Sequence, residues 1–245
     1  MAEKKGRLTK KKFGYSMPVD APLYGKPPIY YKNTEAIIVP YETDADAALD
    51  MLPEGLEIPT PATASVLFIR YNFSTLGLYN EVILGIDCLW QGAPKVYVAH
   101  IVVDNDVPLA GGREVWGYPK KLAHIEITRE ADLLMGTMER PKGNRIVTAI
   151  LKPQVRVKDA QIPLEALSLR VIPASTKEAE PPVMELVEAE CKVLNPDLWT
   201  GIGSVQYHST SVFDPWHKLE VKKVLEAQYV NYDYELGLLK VLKRY

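Results

Sequence analysis

The most reactive feature of the sequence is a pair of adjacent lysines, Lys120 and Lys121, in the segment GGREVWGYPKKLAH at residues 111–124. An amine attacks a ketone only in its neutral form, and a free lysine with a pKa of about 10.4 is almost wholly protonated at neutral pH. Lowering that pKa by ~3–4 units requires ~4–5 kcal/mol, which burial can supply and a neighbouring cation can increase. Trp116 and Tyr118 provide apolar bulk beside Lys120. The pattern therefore predicts a lysine activated by its surroundings.

Strand geometry limits what Lys121 can contribute directly. Side chains of adjacent residues in a strand point to opposite faces, so Lys121 can lie away from Lys120. Burial is therefore expected to matter more than the second charge. For a lysine pair taken alone, the ordinary alternative is an exposed turn with two solvated side chains.

Composition indicates an ordinary folded protein. The 245 residues are 47% hydrophobic and 24% charged, which argues against disorder, and this length allows one large domain. The formal net charge of −2 provides no overall field, so neither a nucleic-acid nor a membrane partner is expected. The two cysteines, Cys88 and Cys191, form no disulfide framework and favour a cytoplasmic location.

The main concentration of basic residues is MAEKKGRLTKKK at the start of the sequence. Like-charge runs are usually solvated, so residues 1–24 are predicted to be a mobile segment preceding a single domain over residues 25–245. No apolar run suits a signal peptide or a transmembrane helix.

The elements that must position the lysine are mostly strands. Short turns separate them, which favours an antiparallel sheet, and closure of such a sheet can enclose a small ligand site. The predicted fold is mainly β (α+β), with a large antiparallel sheet closed into a barrel-like form and a few short helices, of which Thr43–Pro53 is the clearest. The predicted strands are Ser65–Phe73, Asn80–Trp90, Lys95–Asn105, His124–Glu130, Asn144–Lys152 and Gly203–Thr210.

Other catalytic patterns are absent from the sequence. The four histidines lack metal-ligand spacing, and neither a nucleophile elbow nor a glycine-rich phosphate or dinucleotide loop occurs. Neither a metal nor a cofactor is therefore expected. The lysine pair remains as the conspicuous chemical feature.

The string GGREVWGYPKKLA resembles the active-site segment of the acetoacetate decarboxylase family, in which a GRE, a short apolar spacer and a YPKKL run carry the Schiff-base lysine. Further matches follow in the family's order, from about residue 25 onward. The resemblance implies a barrel-like acetoacetate decarboxylase fold and a homo-oligomer. The matching strings are YETDADAALDMLPEGLEI at 41–58, GLYNE at 77–81, VVDND at 102–106, DLWTGIGSVQ and DPWHKLEV.

The resemblance also implies site residues. Lys120 would form the imine and Lys121 would help to depress its pKa. Glu81, in GLYNE, would be an active-site glutamate, its alternative being an exposed strand carboxylate. Arg113 and Glu114 match the GRE and are expected to order the loop more than to touch substrate. The full substrate-binding set is Tyr118, Trp116, Val66, Thr34, Arg113 and Glu114.

Two positions depart from the family pattern. Counting from YETD, the arginine of the well-characterised decarboxylases falls on Thr34. Counting from GLYNE, their other pocket glutamate falls on Val66. No arginine lies between Arg7 and Arg70, so the pocket is expected to be less charged than in those enzymes.

The implied chemistry is that of a Schiff-base lyase. Imine formation on Lys120 creates an electron sink, so a β-keto acid such as acetoacetate would lose CO2, with Glu81 moving protons. The same lysine with pyruvate would give an enamine able to attack an aldehyde, so an aldolase–dehydratase is the first alternative, which the loss of the arginine and glutamate favours. The second alternative is a non-catalytic barrel that holds a small ligand.

Overall fold

The computed structural model describes residues 3–162, 165–177 and 182–245, and strands dominate it. Two α-helices lie among them, α1 (Ala45–Leu49) and α2 (Asp106–Glu114). The strands are β1 (Ile29–Glu42), β2 (Thr63–Ser74), β3 (Tyr79–Trp90), β4 (Ala93–Val103), β5 (Lys120–Leu122), β6 (His124–Glu130), β7 (Leu133–Glu139), β8 (Arg145–Val157), β9 (Ala166–Ile172), β10 (Val183–Tyr207), β11 (Lys223–Val224) and β12 (Ala227–Arg244).

The strands form a ring. Hydrogen-bonded neighbours follow in the order β1, β2, β3, β4, β9, β10 and β12, and β12 pairs with β1 again. A second run, β8, β7 and β6, continues from β10. This arrangement confirms the predicted mainly β, barrel-like fold with few helices.

The sheet is mixed, which corrects the expectation of an antiparallel one. β4 pairs in parallel with β5 and with β9. For β4 and β5 the physical reason is the chain path, because α2 lies between these two strands and allows both to run in the same direction. Parallel neighbours require such a crossover, and α2 was not predicted.

Helix α2 begins at a side-chain cap. The side chain of Asn105 accepts a hydrogen bond from the backbone N–H of Val107, which satisfies one of the donors left free at a helix start. The helix ends just before Gly117, whose φ of +68° suits glycine. A Cβ at Gly117 would lie 2.4 Å from Cβ of Arg170. The cap and this turn fix where β5 starts.

Alternation along the strands separates two apolar clusters. On β2, Val66 and Phe68 belong to a core cluster that includes Leu84 and Trp216. The intervening residues of β2 face a second cluster, which includes Tyr71. Because both faces of β2 are buried, its side chains can define a cavity on one face while the other face stabilises the sheet.

The segment before β1 contacts the domain. The hydroxyl of Ser16 donates to the carbonyl of Tyr24 at 2.8 Å, and the hydroxyl of Tyr24 donates to Glu114 on α2. Residues 1 and 2 lie outside the described part of the chain, and the mobility of residues 1–24 stays a prediction. None of the helices in the described ranges is long and apolar enough to span a membrane.

Candidate active site

Two buried charged side chains meet at the centre of the second cluster. Glu81 projects from β3 and Lys120 from β5, on either side of β4, where Val103 pairs with Glu81 and Ile101 with Lys120. The Lys120 ammonium nitrogen, Nζ, lies 2.7 Å from Oε2 of Glu81, and their side chains are only 6% and 4% exposed. The predicted alternatives of a solvated lysine and an exposed strand carboxylate do not describe these positions.

The other oxygen of Glu81 is also occupied. The hydroxyl of Tyr71 donates to Oε1 of Glu81 at 2.9 Å. Burial first, and then the negative charge of Glu81, raise the pKa of Tyr71 well above that of a free phenol. The hydroxyl therefore remains a proton-bearing donor to the carboxylate.

A cavity of about 90 Å³ surrounds this pair. Among the described residues that line it, Lys120 and Glu81 carry the charges and the others are apolar or tyrosine. Nζ of Lys120 lies 5.6 Å from the ring centre of Tyr79 and 5.7 Å from that of Tyr118. The remaining tyrosines and the larger aliphatic side chains of the lining are Tyr31, Tyr71, Tyr232, Tyr234, Ile38, Leu67, Ile69, Ile83, Ile101, Ile162, Val230 and Leu236.

The tyrosines stay neutral in this environment. Burial is the largest cause that raises the pKa of Tyr79, Tyr118 and Tyr234 above the usual value, and the charge of Glu81 raises those of Tyr79 and Tyr118 further. The cavity therefore offers phenolic donors and aromatic faces and no phenolate.

Helix α2 shapes the space for Lys120. A Cβ at Gly112 would lie 2.6 Å from Cδ and 2.7 Å from Cε of Lys120, so the absence of a side chain leaves room for the lysine. Nη1 of Arg113 donates to the backbone carbonyl of Lys120 at 3.1 Å, and Glu114 accepts from Tyr24. These contacts tie α2 to β5 and to Tyr24, and the expected loop-ordering role of Arg113 and Glu114 stays a prediction.

Lys121 points the other way, as strand alternation predicts. Its Nζ lies 2.9 Å from Oδ1 of buried Asp214, which also accepts from Nε of Arg140 at 3.0 Å. Nearby, burial first, and then the charge of Lys121, lower the pKa of His100 to about 4. The charge of Lys121 is thus paired on the face opposite the cavity, and its part in catalysis remains a prediction.

Five of the six predicted substrate-binding residues lie outside the cavity lining: Arg113 and Glu114, described above, and Trp116, Val66 and Thr34. Trp116 is buried and its Nε1 donates to the carbonyl of Gly237 at 2.8 Å, so its indole supports the fold. Val66 points to the opposite face of β2, and Leu67 occupies the cavity face. Thr34 is fully buried beside Tyr71 in the sheet. Leu67 is also apolar, and the expectation of a pocket less charged than in the well-characterised decarboxylases stays a prediction.

Several tyrosines that line the cavity were not predicted from the sequence. Tyr232 and Tyr234 are two residues apart on β12 and both line the cavity, as period-two spacing on one strand face requires. This two-residue spacing was the sequence pattern that could have predicted them. Within the described ranges, no group of three His, Cys, Asp or Glu side chains is placed to hold a metal ion.

Comparison with known proteins connects this geometry to a family. A family model described as acetoacetate decarboxylase (ADC) matches residues 16–245. An acetoacetate decarboxylase of Ralstonia nicotianae is 31% identical over 247 residues, covering 97% of this chain and 97% of the relative.

Solved structures agree with this assignment. The crystal structure of ADC from Legionella pneumophila has a TM-score of 0.83 at 26% identity and covers 100% of this chain and 99% of the other. The enduracididine biosynthesis enzyme MppR, complexed with the condensation product of pyruvate and imidazole 4-carboxaldehyde, has a TM-score of 0.82 at 22% identity, with coverages of 97% and 98%; this likeness concerns the fold alone. Since the family model spans nearly the whole chain, the protein belongs to the acetoacetate decarboxylase family and is, with that family, a lyase.

Proposed function

We propose that this protein decarboxylates a β-keto acid such as acetoacetate through an imine on Lys120. The observation that carries the proposal is the Lys120–Glu81 contact of 2.7 Å inside an apolar cavity. An isolated ion pair is costly in such surroundings, so transfer of the ammonium proton to the carboxylate gives a neutral amine and a neutral acid. The amine is then competent to attack a ketone carbon.

Glu81 serves the proton transfers of imine formation. Attack by Nζ of Lys120 on the ketone gives a carbinolamine, and its hydroxyl leaves as water after taking the proton held by Glu81. The product is a positively charged imine on Lys120, facing the Glu81 carboxylate. The positive imine nitrogen and the Glu81 carboxylate then lie where the Lys120 nitrogen and the Glu81 carboxyl group lay before the reaction.

The imine accepts the electrons released by decarboxylation. The bond between the α-carbon and the carboxylate breaks, its electron pair forms the enamine, and the iminium nitrogen becomes neutral as CO2 departs. The enamine carbon then takes a proton, and addition of water releases the ketone and restores the lysine. An apolar lining favours this step, because a desolvated carboxylate is converted into an uncharged molecule.

Aldol chemistry with pyruvate is the alternative that shares the imine. The carboxylate of pyruvate would persist through that reaction and would need a cationic partner. Lys120 is the basic residue among the described lining residues, and it becomes the imine itself. Decarboxylation needs no lasting partner for the carboxylate, so the lining favours it over aldol condensation with dehydration.

We also propose a cytoplasmic location, a small keto-acid substrate and a homo-oligomeric state. Two free cysteines, Cys88 and Cys191, support a reducing compartment. Val212 and Phe213 are 92% and 80% exposed, and large exposed apolar side chains side by side favour a protein contact.

Borohydride trapping tests the imine. Acetoacetate with borohydride should leave a covalent adduct on Lys120 that mass spectrometry locates, and Lys120→Ala should lack it. Lys121→Ala is the matched comparison and should still be labelled, because its side chain faces Asp214. An unchanged protein mass would support the non-catalytic ligand-binding alternative.

Product analysis separates the two enzymatic alternatives. Acetoacetate alone should give CO2 and acetone. Pyruvate with an aromatic aldehyde should give no conjugated product absorbing in the ultraviolet. The reverse pattern would replace decarboxylation with aldol condensation and dehydration as the main activity.

A further inference from the structure

We propose that Tyr71 is a positioning residue that holds the Glu81 carboxyl group turned toward Lys120. The inference rests on the proposed function, since it concerns the same lysine. The Tyr71 hydroxyl donates to Oε1 at 2.9 Å, while Oε2 accepts from Lys120 at 2.7 Å. Each oxygen of Glu81 therefore has its own donor.

The register of two strands brings Tyr71 to this position. Ile69 lies opposite Glu81, and Tyr71 lies opposite Tyr79, so Tyr71 is a diagonal neighbour of Glu81 on the same face. Carboxylate rotation about the last side-chain bond of a glutamate is otherwise broad. A buried donor on one oxygen fixes this rotation and leaves the second oxygen directed at the lysine.

The same hydrogen bond keeps Glu81 within reach of the lysine proton. Burial keeps the Tyr71 hydroxyl protonated, so it remains a donor to Oε1. Without this donor the carboxyl group can rotate, and Oε2 is no longer held at 2.7 Å from Nζ of Lys120. Proton transfer from the lysine to Glu81 should then be impaired.

Tyr71 is also part of the aromatic wall. Its ring centre lies 4.7 Å from that of Tyr31 and 4.4 Å from that of Tyr79. Tyr71→Phe keeps the ring and removes only the hydroxyl. Tyr31→Phe is the matched control, because it removes a hydroxyl of the same cavity that lies 3.2 Å from the Tyr79 hydroxyl.

Competitive acetylation reads the protonation of Lys120 without a substrate. Each protein is treated with trace acetic anhydride across a range of pH, and mass spectrometry quantifies acetyl-Lys120. In Tyr71→Phe there should be about tenfold less acetyl-Lys120 near neutral pH, the equivalent of one hydrogen bond to a charged group, and in Tyr31→Phe the profile should not change. In a Glu81→Gln background, Tyr71→Phe should leave the profile unchanged, because the group through which it acts is gone.

Two results would overturn the proposal: equal profiles for the wild type and Tyr71→Phe, or a difference that persists in Glu81→Gln. If Tyr71→Phe does not fold, 3,5-difluorotyrosine at residue 71 keeps the ring and strengthens the donor. The yield of acetyl-Lys120 near neutral pH should then equal or exceed that of the wild type, and a lower yield contradicts the proposal.

Activity gives a separate readout. With acetoacetate, Tyr71→Phe should lower kcat about tenfold and leave KM nearly unchanged, because the lost bond acts on the proton transfers of Glu81. Failure of borohydride trapping in the wild type, together with a changed acetylation profile in Tyr71→Phe, refutes the proposed function and supports the Tyr71 inference. Successful trapping with an unchanged profile refutes the inference alone.

Discussion

A methyl group at Gly112 should separate Lys120 from Glu81, while the same change at Gly111 should be tolerated. A Cβ on Gly112 would lie 2.6 Å from Cδ, 2.7 Å from Cε and 3.3 Å from Nζ of Lys120. Carbon atoms pack at about 3.5–4.0 Å, so the lysine must move by ~1 Å. A Cβ on Gly111 meets the Tyr24 ring at 3.4 Å, an ordinary contact.

The expected effect on activity is larger than the effect on stability. Alanine gains about 1 kcal/mol over glycine inside a helix, and overpacking costs about 1–3 kcal/mol, so Gly112→Ala should destabilise the fold by at most ~2 kcal/mol. A shift of ~1 Å opens the 2.7 Å Lys120–Glu81 contact beyond hydrogen-bonding distance. Misplacement of this size costs about 100-fold in rate, equivalent to ~2.7 kcal/mol of barrier.

Initial rates of CO2 release from acetoacetate provide the assay, with urea unfolding of each variant alongside. Gly112→Ala should be about 100-fold slower than the wild type. Gly111→Ala should keep most of the rate and unfold at an equal or higher urea concentration. If both variants retain wild-type rates, the close contact between Gly112 and Lys120 does not control the position of the amine.

The remaining predictions concern stability. The pKa of His100 is lowered to about 4, so the fold should lose about 2 kcal/mol between pH 7 and pH 5, as the unfolded chain takes up the proton first. Urea titrations at both pH values measure this, and an equal loss in His100→Leu would assign it to other groups. Asp214→Asn should cost about 1–2 kcal/mol, a range reduced because Lys121 is 35% exposed; an unchanged melting temperature would contradict it. Gly117→Ala should cost more than about 2 kcal/mol, from a φ of +68° and a clash with Arg170, and a melting temperature equal to that of the wild type would refute this.

Local patterns in the sequence were sufficient to predict many of the strands and one of the helices. His124–Glu130 was predicted with the bounds of β6, and the helix predicted at Thr43–Pro53 is α1, where the side chain of Asp44 accepts from two backbone N–H groups. β1 and β12 were missed, although they close the ring. Alternation is weak where both faces of a strand are buried, as in Ile37 and Val39 beside Ala36 on β1.

Site residues in short distinctive strings could be predicted from the sequence, whereas site residues whose position depends on strand register could not. Lys120 and Glu81 lie in short distinctive strings, and one contact joins them. Counting along the sequence placed Val66 without knowledge of strand register, and a one-residue difference exchanges one strand face for the other. Leu67 is therefore the cavity residue at that point of β2. Tyr71 could not be linked to Glu81 from sequence, because their contact arises from the pairing of two strands.

The second lysine has a physical role that does not require it to lie near the first. β5 is only three residues long, so its pairing with β4 alone holds the Lys120 backbone weakly. Arg113 binds the carbonyl of Lys120 on one side, and Lys121 binds Asp214 on the other. These two anchors fix the strand from which Lys120 enters the cavity. Adjacent lysines thus suit a short strand that must deliver one amine to an apolar cavity and bind a buried carboxylate on its other face.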